Sequence, residues 1–243
     1  MALIEVIDFK KSFSHKTVHE GVTFYVKKSE CMGLVGGSGA GKSVILRSLI
    51  GLEKPDSGQI LIDGVDITKF SEKDLIQIRK RVAYVFQGGA LFDSMTVFEN
   101  LAYPIKAHTN LSENKITDKI RNQLEEFGLL DAINLYPAEL SGGMQKRIGL
   151  ARAMMMEPEI ILYDEPTAGL DPYNTNKIQE LILRLKAKGV TAILVTHDMP
   201  TAMNVCDKFA FLKNKIIAEQ GTIEQLRHNK NSLIHQFMEG QIL

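Results

Sequence analysis

Residues 36–43 read Gly36-Gly37-Ser38-Gly39-Ala40-Gly41-Lys42-Ser43, which fits the pattern G-x-x-x-x-G-K-[ST]. The flanks give the pattern its meaning. Cys31-Met32-Gly33-Leu34-Val35 reads as a short buried strand, and Val44-Ile45-Leu46-Arg47-Ser48-Leu49-Ile50 reads as a helix. Between them, Gly36, Gly37, Gly39 and Gly41 allow backbone conformations that a β-carbon forbids. Successive N–H groups then turn inward and cradle phosphate oxygens. The helix starting near Lys42 adds its positive end. Lys42 is expected to reach β- and γ-phosphates, and the Ser43 hydroxyl to ligate Mg²⁺. The candidate nucleotide-binding run is Gly36, Gly37, Ser38, Gly39, Ala40, Gly41, Lys42, Ser43 and Val44.

Two further stretches agree. Ile160-Ile161-Leu162-Tyr163-Asp164-Glu165 is an apolar strand ending in two carboxylates. Buried parallel strands look like this, and ligands gather outside their carboxyl ends. Asp164 would hold Mg²⁺, largely through its water shell, and Glu165 would orient or deprotonate an attacking water. Read alone, Asp-Glu-Pro is equally a solvated turn; the phosphate loop favours the catalytic reading. Leu140-Ser141-Gly142-Gly143-Met144-Gln145 opens a helix with a hydroxyl and free N–H groups suited to an anion. Ser141 can also serve as that helix's N-cap. In this order, the loop and the Ser-Gly-Gly helix suggest a nucleotide site completed by a second copy of the chain.

On these residues the chain resembles the ATPase subunits of ATP-binding-cassette (ABC) transporters over nearly its whole length. The resemblance implies an α/β fold of the P-loop NTPase type, with a parallel core sheet, an antiparallel β subdomain and a helical insertion. It implies ATP and Mg²⁺ as cofactors and a homodimer of ATPase subunits. By the same resemblance Gln87, after Arg81-Val82-Ala83-Tyr84-Val85-Phe86, takes the Q-loop position and senses Mg²⁺ or the attacking water. Asp171 takes the D-loop position, His197 is the switch histidine, and Phe13 is the ring that stacks on adenine. Ser141, Gly142 and Gly143 would contact the γ-phosphate bound by the other protomer. The catalytic set is then Glu165, His197, Lys42 and Gln87; the metal set is Ser43, Gln87 and Asp164. Val44 stands where many relatives have Thr, which removes one hydroxyl near the α-phosphate. Phe13 replaces the commoner Tyr and keeps the ring.

Composition sets outer bounds. The 243 residues make one large or two small domains, and 44% hydrophobic content supports a substantial core. Formal net charge is zero, so no global field favours nucleic acid, and no nucleic-acid partner is expected. The two cysteines, Cys31 and Cys206, show no metal spacing and fit a reducing compartment. No apolar run reaches the roughly 18–20 residues of a membrane span, and Met1-Ala2-Leu3-Ile4-Glu5 opens as a strand rather than a secretory signal. Strands are expected over residues 1–30 and about 57–67, with a turn at Ile62-Asp63-Gly64-Val65. After an N-cap at Ser112, the helical spacing of Ile116, Ile120, Leu124 and Phe127 places a helical insertion at about 90–150. Ile178, Leu181, Ile182 and Leu185 line a further helix, and Phe209–Leu212 with Ile216–Ala218 form a hairpin. Lys73, Arg79, Lys80 and Arg81 read as a solvated helix face. The expected division is a nucleotide-binding domain at 1–225 and a C-terminal tail at 226–243.

A cassette without membrane spans needs partner chains to drive transport. Gly89-Ala90-Leu91-Phe92-Asp93-Ser94-Met95-Thr96-Val97, Tyr136-Pro137-Ala138-Glu139 and Gln236-Phe237-Met238-Glu239-Gly240 resemble the ATPases of MCE-type phospholipid transporters of double-membraned bacteria. That resemblance implies integral-membrane permease subunits, an MCE-domain lipid-binding subunit and a small STAS-domain regulator. It also implies a peripheral position on the cytoplasmic face of the bacterial inner membrane. Of Leu91, Phe92, Met95, Val97 and Phe98, the first two are expected to be the most accessible. The chief alternative is the ATPase of a polar-solute importer of the amino-acid type; a stand-alone regulatory ATPase is more distant. A translation-factor cassette carries two cassettes per chain, and a DNA-repair cassette carries a long coiled coil; neither pattern is present.

Overall fold

The computed structural model describes residues 2–14, 16–229 and 232–239, with backbone alone at 227, 228 and 238. Met1 of the expected first strand and Gly240 of the C-terminal resemblance lie outside the described residues, as do 241–243 of the expected tail.

β1 (Ala2–Phe13) and β2 (Lys16–Lys27) pair antiparallel, and β3 (Cys31–Gly36) runs into the phosphate loop. α1 (Lys42–Ser48) leaves it. β4 (Ser57–Ile62) and β5 (Val65–Asp66) form a hairpin whose turn, Asp63-Gly64, has φ of 54° and 77°. Such two-residue turns match the twist of the strands they join. α2 (Glu72–Arg81) begins at a reciprocal cap between Ser71 and Asp74 and feeds β6 (Val82–Val85). α3 (Val97–His108), α4 (Glu113–Glu126) and α5 (Gly142–Met154) make up the helical insertion. Then β7 (Ile160–Asp164), α6 (Pro172–Ala187), β8 (Thr191–Val195) and α7 (Met199–Val205) alternate. β9 (Lys208–Lys213) and β10 (Ile216–Thr222) form a hairpin, followed by α8 (Ile223–His228) and α9 (Leu233–Met238). α8 spans the position at which the sequence divides cassette from tail.

The strands form two sheets. One is antiparallel in the order β2-β1-β4-β5; the other runs β10-β9-β3-β8-β7-β6, parallel except at β10. The continuous apolar runs follow from the second sheet being covered on both faces. Successive residues point to opposite faces. Met32, Leu34, Ile160, Leu162, Ile193, Val195, Ala210 and Leu212 therefore join a core with the antiparallel sheet and α1. Their neighbours Val35, Ile161, Tyr163, Leu194, Phe209 and Phe211 join a second core with α3 to α6.

Helical spacing places Ile116, Ile120 and Leu124 on the buried face of α4, although the Ser112 hydroxyl at its N-cap makes no capping bond. α9 packs on the second core: Ile234 is buried and the Phe237 ring lies 5.1 Å from that of Phe211. The basic group near α2 is not simply solvated. Arg81 clasps Glu159 through Nε and Nη2, each at 2.9 Å, and Arg79 Nε donates to Ile50 O at 3.0 Å. Planar guanidinium forks favour such paired contacts, which here pin the end of α2 to the start of β7.

Candidate functional site

β3, β8, β7 and β6 lie side by side and parallel, so their carboxyl ends share one edge of the sheet. The phosphate loop follows β3, His197 follows β8, Asp164 and Glu165 end β7, and Gln87 follows β6. Ligands of open α/β sheets bind at this edge. A cavity of about 730 Å³ opens there, lined by Phe13, Gly36, Ser38 to Val44, Glu165 and His197, with Val18 and Val195 added.

Gly36, Gly39 and Gly41 have φ of 154°, 73° and 95°; Gly37 does not share the positive φ expected from sequence. Gly41 leaves no room for a side chain, since a β-carbon there would lie 2.4 Å from Val18 and 2.7 Å from the His19 ring. His19 is fully buried on β2, with Nε2 3.2 Å from Gly41 O and no partner for Nδ1. Donation to that carbonyl fixes the proton on Nε2. The Lys42 ammonium donates to Gly36 O at 2.8 Å and Gly37 O at 3.0 Å, curled over its own loop. Burial pulls Lys42 below the ordinary lysine range, while the charges of Glu165 and Asp164 oppose the shift.

Below the loop, Ser43 Oγ donates to Asp164 Oδ1 at 2.8 Å, and Tyr84 Oη donates to Asp164 Oδ2 at 2.7 Å. Burial first, then the Asp164 carboxylate, pushes the Tyr84 phenol well above its usual range, so it remains a donor. Among the described residues, no three His, Cys, Asp or Glu side chains gather into a metal cage. A hydroxyl and one carboxylate beside a phosphate loop fit Mg²⁺, which takes few protein ligands and completes its shell with water and substrate phosphates. Ser43 and Asp164 would hold it. Glu165 sits at φ 51°, a left-handed conformation that costs a non-glycine residue about 1–3 kcal/mol. Its N–H donates to Val195 O at 2.9 Å, which carries the chain across to β8 and brings the carboxylate to His197. His197 Nδ1 lies 2.9 Å from Glu165 Oε2. Gln87 is exposed in the turn after β6 and does not line the cavity.

Ser141, Gly142, Gly143 and Asp171 form a second group that does not line the cavity. Ser141 Oγ caps α5 by accepting Met144 N–H at 3.2 Å. Asp171 caps α6 by accepting Asn174 N–H at 3.0 Å. The two helix starts touch: a β-carbon on Gly143 would lie 2.4 Å from the Asn174 side chain. Lys146 of α5 also donates to Ala168 O, tying the insertion to the segment ahead of Asp171.

The segment after Gln87 is held by two residues that no sequence motif marks, Asn100 and Arg152. Asn100 is fully buried; its Nδ2 donates to Phe92, Met95 and Thr96 carbonyls at 3.0–3.1 Å, and its Oδ1 accepts Phe92 N–H at 2.9 Å. Arg152 of α5 donates to Gly89 O at 3.2 Å and Ala90 O at 2.8 Å, and its guanidinium lies 5.3 Å from the Phe92 ring. Phe92 is 42% exposed, whereas Leu91 is partly buried against the core and Val97 fully buried. Phe92, Tyr103, Phe86, Leu52 and Ile50 line a mostly apolar groove of about 410 Å³.

This arrangement defines a nucleotide-binding cassette: a phosphate loop, a strand-end carboxylate pair with its histidine, and, away from that cavity, the Ser141-capped start of α5. Residues 19–168 match the family model described as ABC transporter, and the chain belongs to that family. It is 42% identical to the probable ribonucleotide transport ATP-binding protein mkl of Mycobacterium leprae, over 98% of this chain and 69% of that one. It is 38% identical to the intermembrane phospholipid transport system ATP-binding protein MlaF of Haemophilus influenzae, over 98% of this chain and 91% of the relative. Among solved structures, the dimeric post-hydrolysis state of an ATP-binding cassette bound to ADP and Pi superposes with a TM-score of 0.84. That match has 28% identity and covers 90% of this chain and 98% of that one. The protein is thus an ATP-hydrolysing ABC transporter subunit that uses ATP with Mg²⁺. ATPases of this family dimerise and pair with membrane permease subunits. Among the described residues, no helix is long and apolar enough to cross a membrane.

Proposed function

We propose that this chain powers phospholipid movement between inner and outer membranes, as the ATPase of an MCE-type complex. It sits on the cytoplasmic face of a bacterial inner membrane, bound to integral permease subunits, with an MCE-domain lipid-binding subunit and a small STAS-domain regulator. The observation that carries this reading is the groove next to Gln87, lined by Phe86, Phe92 and Tyr103, with the segment that bears Phe92 held by Asn100 and Arg152. Its exposed Phe92 suits a permease helix laid into the groove. The likeness to MlaF over nearly the whole of both chains supports the same substrate class.

Each ATP lies between the loop of one protomer and Ser141, Gly142 and Gly143 of its partner, with Phe13 and Val18 beside the base. The two protomers are antiparallel, and Asp171 faces the partner across the interface. Lys42 leaves its carbonyls for the β- and γ-phosphates. Mg²⁺, when bound, neutralises developing phosphate charge. Glu165 orients a water for in-line attack on the γ-phosphorus; the bond to the bridging oxygen breaks, giving ADP and inorganic phosphate. His197 holds the Glu165 carboxylate, and Gln87 links the groove wall to the site. Loss of the γ-phosphate removes the bonds that close the dimer.

The test is purification of the native complex from detergent, followed by identification of its proteins and lipids. A permease and an MCE-domain protein with bound phospholipid are expected. A permease with a soluble solute-binding protein and no lipid would favour polar-solute import, the second reading, in line with the ribonucleotide transport ascribed to the mycobacterial relative.

A further inference from the structure

The Tyr84 side chain belongs to two sites at once. Its hydroxyl donates to Asp164 Oδ2 at 2.7 Å. Its ring lies 4.4 Å from that of Phe86, centroid to centroid, and lines the apolar groove with Phe86 and Phe92. The other Asp164 oxygen accepts the Ser43 hydroxyl at 2.8 Å. The carboxylate is therefore gripped from both sides, by α1 through Ser43 and by β6 through Tyr84. Each oxygen keeps further acceptor capacity, since an ionised carboxylate has about four lone-pair sites. Two directed bonds on opposite oxygens fix the plane of the carboxylate without using it up.

We propose that Tyr84 is a positioning residue that aims the Asp164 carboxylate for Mg²⁺ and ties the groove wall to the metal site. This rests on the reading of Asp164 as the Mg²⁺ carboxylate. Hydrogen bonds that orient a metal's ligands from behind are worth about 10–100-fold in metal affinity. The link to the groove is physical contact. Phe86 is 40% exposed, packs against the Tyr84 ring at a tilt of 38° and directly precedes Gln87. A partner side chain pressed into the groove meets Phe86 and the Tyr84 ring together, and the ring carries the hydroxyl that holds Asp164.

The test is equilibrium binding of a non-hydrolysable ATP analogue to the full-length chain, measured by calorimetry in EDTA and at stepwise Mg²⁺. Tyr84→Phe removes the hydroxyl and keeps the ring; Phe86→Ala keeps the hydroxyl and removes the ring's support. In EDTA the parent and both variants should bind alike, which shows an intact loop. The Mg²⁺ concentration giving half of the metal-dependent tightening should rise about tenfold in Tyr84→Phe, and by a smaller factor in Phe86→Ala. A Tyr84→Phe response matching a Mg²⁺-responsive parent overturns the role of Tyr84 while leaving Asp164 in place. A parent with no Mg²⁺ response overturns the Asp164 reading and the inference with it. Equal weakening of Tyr84→Phe in EDTA and in Mg²⁺ reduces Tyr84 to packing and contradicts the proposal. A shift in Tyr84→Phe with none in Phe86→Ala overturns the link to the groove.

Discussion

Glu165 Oε2 receives two contacts from His197: the ring Nδ1 at 2.9 Å and the backbone N–H at 3.3 Å. The carboxylate is 17% exposed and its histidine 71% exposed, so the pair forms the inner and outer wall of one corner of the cavity. That geometry gives each residue a separate test. Glu165→Gln keeps shape and loses the charge that orients water; kcat should fall about 100-fold or more. ATP binding should survive, and the closed dimer should accumulate on size-exclusion chromatography with ATP. His197→Ala leaves the carboxylate in place but unheld, and kcat should fall on the order of 100-fold with little change in ATP affinity. Normal steady-state turnover in Glu165→Gln would remove Glu165 from its role.

Phe92→Ala tests the groove. The Phe92 ring lies 5.1 Å from that of Tyr103 and 5.3 Å from the Arg152 guanidinium, and the residue is 42% exposed. Truncation should therefore change stability little and leave ATP binding by the isolated chain unchanged. Permease recovery in a pull-down should drop at least about tenfold if Phe92 anchors the helix, as buried aromatic anchors do. Full recovery with unchanged lipid transfer would assign Phe92 to local packing.

His19 should make stability pH-dependent. Burial holds its imidazole below the ordinary range, against the opposing bond to Gly41 O. The unfolded chain takes up a proton near pH ~6.5, where the folded chain does not. Stability is then fully present above that value and is lost as pH falls through it toward the lower folded value. His19→Leu carries no group that titrates there. Urea midpoints at about pH 7.5 and about pH 5.5 should fall more for the parent than for His19→Leu; equal declines would contradict the assignment.

Much of this architecture is readable from the chain because it is local. The loop, the strand-end carboxylates and the Ser141 cap each occupy a few consecutive residues, and their chemistry follows from that order; Asp171 is placed only by resemblance, and its cap on α6 appears in the structure. The partners that align them are distant in sequence. Tyr84 meets Asp164 across 80 positions and Asn100 meets Arg152 across 52. Nothing local marks Tyr84, since alternation in a doubly covered strand accounts for its type. His19 reads as an ordinary strand residue until Gly41 is found beneath it. Cys31 and Cys206, whose spacing suggests no metal site, come to 3.8 Å between sulfurs because β3 and β9 are neighbours; both are free thiols.

In the proposed dimer two protomers complete each ATP site, since Ser141, Gly142, Gly143 and Asp171 do not line the cavity of their own chain. Lys42→Ala and Ser141→Arg should each abolish turnover alone. Mixed at equal amounts, they should form heterodimers in which one of the two sites is intact, so ATPase activity returns to about a quarter of the parent value if dimers pair at random. Activity of the mixture equal to the mean of the two separate variants, or parent-like turnover by either variant alone, would contradict the composite site.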